Sequence, residues 1–121
     1  MATILIVDDE PANRQLLAAV LRSRAHDLLE AASAEEGLRL ARERLPDLII
    51  LDLYLPEMHG TEFVKALRGE SATAELKVAL YTASRLDGSM RGFMELARIE
   101  HVIEKPSEPE AILRTVDSAL A

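Results

Sequence analysis

The chain contains no cysteine and no tryptophan, only two tyrosines and two phenylalanines, and 14 basic side chains against 21 acidic ones. Without thiols there is no disulfide framework, no thiolate zinc site and no cysteine nucleophile, and nothing favours an oxidising compartment. The cytoplasm is the expected location. No apolar run approaches the roughly 20 residues needed to cross a bilayer, and the opening MATILIVDDE meets two acids after a short apolar stretch, unlike a signal peptide. A net charge of −7 repels phosphate backbones, so direct nucleic-acid binding by this segment is not expected. Neither a G-x-G-x-x-G nor a G-K-[ST] loop occurs, which removes the common nucleotide-binding readings.

What is present is a chain of 121 residues, 49% apolar, with no internal linker or low-complexity tract, which predicts one domain over residues 1–121. Short β-branched runs recur at Thr3 to Val7, His26 to Ala31, Asp47 to Leu51, Leu76 to Tyr81 and Glu100 to Ile103, and each reads as a strand. Between them lie helical spacings: Leu17, Val20 and Leu21; Leu38, Ala41 and Leu45; Phe63, Val64 and Leu67; Ile112, Val116 and Leu120. Pro11 after Asp9 and Glu10 marks a helix start, and Ser33 with Glu36 and Ser107 with Glu110 fit the S-x-x-E capping box. Strands alternating with helices imply βαβ crossovers, hence an α/β fold with a parallel sheet covered on both faces. Ligands of such sheets bind at the carboxyl ends of the strands.

Those ends are chemically lopsided. Asp8 and Asp9 close the first strand, Asp52 the third, Thr82 the fourth and Lys105 the fifth. Asp8 or Asp9 taken singly fits an N-cap for the helix at Pro11, but Asp52 directly after DLIIL has no capping task. Crowded carboxylates repel, and a cation is the natural remedy. All-oxygen donors favour magnesium, manganese or calcium over zinc, and magnesium shares itself between carboxylates and a phosphoryl oxygen. A carboxylate can be the nucleophile of phosphoryl transfer, with ammonium and hydroxyl groups stabilising the transferred oxygens. Asp52 is the candidate acceptor. Lys105 precedes Pro106, where a cis bond costs little, and such a bond would aim the ammonium at the pocket.

Together ILIVDDEP, LIILDLYLPEMHG, YTAS and EKP resemble the receiver domain of two-component response regulators, over the full chain. The resemblance implies a doubly wound five-stranded parallel sheet of order 2-1-3-4-5 with helices on both faces. It implies phosphorylation of Asp52, with Mg2+ held by Asp8 or Asp9, by Asp52 and by the main-chain carbonyl of Tyr54. Thr82 and Lys105 would contact the phosphoryl group. The donor would be a histidine kinase or a histidine phosphotransfer protein, so His26, His59 and His101 need take no part. Pro56 and Gly60 match the loop leaving the acceptor strand, Gly60 where a Cβ would clash. The fourth helix, fifth strand and fifth helix would face an output partner, an effector domain or a second copy of the chain. Met90, Phe93, Met94 and Ala97 lie on that helix and read as a core stripe whose methionines also suit adaptable contacts. The arginines at 22, 24, 39, 42 and 44 read as solvated helix faces.

Two positions depart from the family. Val102 stands where an aromatic residue normally couples the threonine to the output surface, and this keeps a phosphorylation-independent pseudo-receiver as the alternative reading. Tyr54, two residues after the acceptor, is bulky and is expected to hinder the attacking water and prolong the phosphorylated state. Tyr54 also argues against an aspartyl phosphatase of the haloacid dehalogenase type, which needs a second aspartate there. No turnover of a free substrate is expected, so the chain reads as a switch and not as an enzyme.

Overall fold

A computed structural model describes residues 2–83 and 86–121. Five strands and five helices alternate: β1 (Thr3–Val7), α1 (Pro11–Leu21), β2 (Asp27–Ala31), α2 (Ala34–Arg44), β3 (Leu48–Asp52), α3 (Gly60–Arg68), β4 (Val78–Thr82), α4 (Gly88–Leu96), β5 (His101–Glu104) and α5 (Pro109–Leu120). The strands form one parallel sheet of order β2-β1-β3-β4-β5, the expected doubly wound topology. The central runs are buried on both faces, and their alternation sorts side chains cleanly. Leu5, Val7, Ile49, Leu51 and Leu80 pack beneath α2, α3 and α4, with Phe63 as the largest contributor. Ile4, Ile6, Leu48, Ile50 and Tyr81 pack beneath α1 and α5.

Strand β1 spans the expected residues, and the edges that differ in the other four are displaced by one or two residues toward the C-terminus. Strands β3 and β4 run on to include Asp52 and Thr82, because ladder pairing continues to Asp52↔Tyr81 and Thr82↔Glu104. Polarity at these ends predicts loop, but the hydrogen-bonded ladder holds them in extended backbone. Leu45 does not join the buried stripe of α2. It is the C-cap at φ 44°, left-handed and half exposed, so the helix ends one residue before the periodicity suggests.

The capping box at Ser33 forms in modified shape. Ser33 Oγ accepts the Glu36 amide, while Glu36 reaches back to the amide of Ala32. The box expected at Ser107 does not form: Glu108 is the N-cap, Pro109 opens α5, and Ser107 Oγ instead donates to the Glu104 carbonyl. Neither Asp8 nor Asp9 caps α1, whose N-cap is Glu10 with Pro11 at the first helical position. The arginines at 22, 24, 39, 42 and 44 are all exposed, as expected.

Candidate functional site

The acidic rim at the carboxyl ends of the strands is assembled by strand parity. Val7 pairs Leu51, so the next row of the ladder brings Asp8 beside Asp52, both on the side of the sheet covered by α1 and α5. Asp8 is fully buried and Asp52 nearly so. One carboxylate oxygen from each of Asp8, Asp9 and Asp52 lies within 4.8 Å of the others. Lys105, after β5, extends across the Tyr81 ring, with Nζ 4.6 Å from its centroid. The ammonium ends 3.2 Å from Asp8 Oδ2 and 3.5 Å from Asp52 Oδ1. The Lys105–Pro106 bond is cis.

Local bonds hold each acid. Asp8 Oδ1 accepts the Glu10 amide at 2.9 Å, and Arg14 Nη1 donates to the Asp8 carbonyl at 2.6 Å while its Nε faces Glu30 at 3.4 Å. Asp52 Oδ1 accepts the Tyr54 amide at 3.2 Å. Burial pushes the Asp52 carboxyl above its ordinary value; the Tyr54 amide and Lys105 counter this in part, and Asp8 adds repulsion. Burial likewise raises the Tyr81 phenol. Thr82 is buried, and its carbonyl accepts the Lys105 amide at 3.0 Å. By alternation its side chain belongs to the opposite parity from Asp52 and Tyr81.

The loop after β3 folds back on itself. Tyr54 and His59 form an isolated antiparallel bridge, with rings edge to face at 5.1 Å and 84°. His59 Nδ1 accepts the Thr61 amide at 3.1 Å and so caps α3. Gly60 is forced: a Cβ there would sit 2.9 Å from Leu53 Cα, and its amide donates to the Leu53 carbonyl at 2.6 Å. Glu57 accepts the Ala34 amide at 3.0 Å, tying this loop to the start of α2. Pro56 is exposed on it.

Asp8, Asp9 and Asp52 therefore cluster at one rim with the Lys105 ammonium beside Asp8 and Asp52, while Thr82 ends the neighbouring strand with its side chain on the other parity. The structure adds residues that the sequence reading missed. Tyr81 is a cation–π platform for Lys105, and its only signal was an aromatic one residue before a strand-ending threonine. Arg14 was signalled by its place one turn into the helix after the acid pair. His59 is more than a surface histidine, because it caps α3 and touches Tyr54. His26 and His101 stay at strand starts away from the rim, His26 Nδ1 accepting the Ala2 amide at 3.2 Å. Val102 packs partly buried on the α2–α4 side, and His101 lines a cavity beside Ser118 and Ala119 of α5. Met90, Phe93 and Met94 rest on the core half-buried, and only Ala97 of that stripe is buried. Ser84, last residue of the YTAS match, lies outside the described residues.

The donor set fits a small hard cation: three clustered carboxylates, all oxygen, one with its ionised form disfavoured by burial. Comparison with known proteins gives a consistent result. The sequence profile of the response regulator receiver domain matches residues 4–117. The chain is 31% identical to Protein PilH of Pseudomonas aeruginosa, covering 100% of this chain and 99% of that one. It is 30% identical to the polar-differentiation response regulator DivK of Brucella ovis, over 98% of this chain and 95% of DivK. Against the phosphate regulon regulator PhoB of Pseudomonas aeruginosa it is 30% identical over 98% of its length but spans only 51% of that protein. Among solved structures, the chemotaxis protein CheY4 of Vibrio cholerae superposes with a TM-score of 0.90 at 30% identity, covering 99% of both chains.

Proposed function

Because the chain belongs to the response regulator receiver family, we propose that residues 1–121 form a receiver domain that works as a phosphoacceptor switch, with Asp52 as acceptor and a phosphohistidine of a kinase or phosphotransfer protein as donor. The observation that carries this is the Asp8, Asp9 and Asp52 cluster with the Lys105 ammonium between two of its members. An Asp52 oxygen attacks phosphorus, the P–N bond breaks, and its electron pair leaves with the donor imidazole. Oδ1 is held by the Tyr54 amide and Lys105, so Oδ2 is the attacking oxygen. Asp8, Asp9, Asp52 and the Tyr54 carbonyl would hold Mg2+, which would supply positive charge against the phosphoryl oxygens. Lys105 and Thr82 take the phosphoryl oxygens, and Tyr81 keeps the ammonium on the rim.

Phosphorylation adds a charge of about −1.5 to −2 at this rim, and the new contacts to Lys105 and Thr82 supply the differential free energy that a two-state surface needs. The surface read out is that of α4, β5 and α5, facing an output partner, an attached effector domain or a second copy. No described helix is long and apolar enough to cross a membrane, and the cytoplasm is the proposed compartment. The exposed Tyr54 ring, braced by His59, shields the acyl phosphate from water and prolongs it.

Incubation with Mg2+ and acetyl phosphate should give one labile adduct by intact mass, absent in Asp52→Asn and lost faster in Tyr54→Asn. No adduct on the parent chain would sink the acceptor reading and favour a pseudo-receiver. An unchanged or slower loss in Tyr54→Asn would remove the shielding role alone.

A further inference from the structure

A groove opens at the other end of the sheet. Val64 of α3 and Phe93 and Ala97 at the end of α4 line a groove of about 390 Å3, rimmed by Lys65, Arg68 and Arg98. Leu96 also lines it and is 85% exposed, well above the other exposed large apolar side chains described. The two arginines converge on one acceptor: Arg68 Nη1 and Arg98 Nη2 both donate to the Ala74 carbonyl, at 3.1 and 2.7 Å. Arg68 is locked further by the Ala97 and Leu76 carbonyls at 2.8 and 2.7 Å. Burial and the neighbouring Arg98 both disfavour the charge on Arg68. Among the described residues the one carboxylate within ion-pair range of either is Glu75, 3.6 Å from Arg98 with a side chain 87% exposed.

Arg98 also occupies strained backbone. At φ 60° it terminates α4 in the left-handed region that glycine fits more readily. A charged residue kept where glycine is the easier choice, beside a second guanidinium and an uncovered leucine, makes a preorganised cationic lip on an apolar groove.

We propose that this groove docks a short protein segment carrying an apolar side chain flanked by carboxylates. The apolar residue fills the space over Val64, Phe93 and Leu96, and a carboxylate pairs with Arg98 and with Nη2 of Arg68, whose Nε and Nη1 are already committed to carbonyls. The groove lies near the amino ends of the strands, since Arg68 holds the carbonyl of Leu76 just before β4. It is therefore remote from Asp52 and stands independently of the acceptor role. The cations are confined to the rim of one groove of about 390 Å3, which suits a single side chain with a neighbouring carboxylate better than an extended lipid surface.

The test uses the whole chain, 15N-labelled, titrated with a helical probe peptide carrying leucine at i and i+4 among glutamates. Saturable shifts are expected at Val64, Phe93, Leu96 and Ala97, with affinity weakened at least about tenfold in Leu96→Ser and in Arg98→Gly. Arg98→Gly suits the left-handed backbone, so weakened binding at undiminished thermal stability assigns the effect to the charge. The proposal is overturned by no saturable shift at these residues, by equal binding of a leucine–lysine peptide, by unchanged affinity in either variant, or by preference for phosphatidylserine vesicles over the peptide.

Discussion

At the scale of single residues, the acidic rim is a balance between one ammonium and two neighbouring buried acids. Lys105 bridges Asp8 and Asp52 at 3.2 and 3.5 Å. Removing one partner of a buried ionic cluster leaves uncompensated charge, so Lys105→Met should lower the stability of the metal-free protein by about 3 kcal/mol. The sign with pH follows from Asp52, whose folded carboxyl titrates above the unfolded value of 3.8 because of burial. In that window the folded chain keeps a proton that the unfolded chain releases, so stability falls as pH rises from 3.8 through the folded value. Lys105→Met should steepen this fall and Asp52→Asn remove it, as read by urea denaturation in chelator from acid to neutral pH. A flat profile in the parent would contradict the balance. The charged half of this rim was legible from residue order, because Asp8 and Asp52 directly follow apolar runs and Asp9 and Lys105 stand one residue further on. Tyr81 was not, because an aromatic inside a buried strand looks like core until the register places Lys105 above it.

At the scale of elements, α4 is the helix with least hold on the body. It has no buried residue, whereas α2, α3 and α5 each bury at least three. Its start depends on Asp87, whose carboxylate accepts the Met90 amide and the Ser89 hydroxyl, both at 2.9 Å. These bonds, the Met90 amide foremost, hold the Asp87 carboxyl below its ordinary 3.8. A depressed folded value means that the cap stabilises fully above 3.8 and is lost as pH falls through the folded value. Asp87→Ala should therefore speed amide exchange across Met90, Phe93 and Met94 at neutral pH, with little change in global unfolding, and the variant and parent should converge in acid. Equal exchange at neutral pH would show that packing on the core alone secures the helix. The methionine spacing announced a buried stripe, yet the structure leaves it half-buried, since periodicity reports which face turns inward and not how closely the helix approaches. The same limit explains Ser107: S-x-x-E matched, but Pro109 starts α5 two residues later and takes the first helical position.

At the scale of the whole molecule, the topology was readable because each strand and helix carried its own period, and the right-handed βαβ rule leaves few arrangements. Strand order was not in the periodicity; it came from the resemblance, and the ladder of paired strands bears it out. That order has a thermodynamic consequence. Asp8 and Asp9 follow β1, Asp52 closes β3 and Lys105 follows β5, so the acids and their counter-charge meet only when the sheet is complete. The unfolded chain offers no such cluster, and a cation bound there stabilises the entire fold by mass action, about 2.7 kcal/mol at a hundredfold excess over Kd. The urea midpoint should rise with the logarithm of Mg2+ concentration at neutral pH, and Asp9→Asn should weaken the rise. Lys105→Met should shift the rise to lower Mg2+, because the ammonium and the metal compete for the same carboxylates. A midpoint indifferent to Mg2+ in the parent would mean that Lys105 alone satisfies the acids, and the rim would then be a structural ion cluster with no need of a metal.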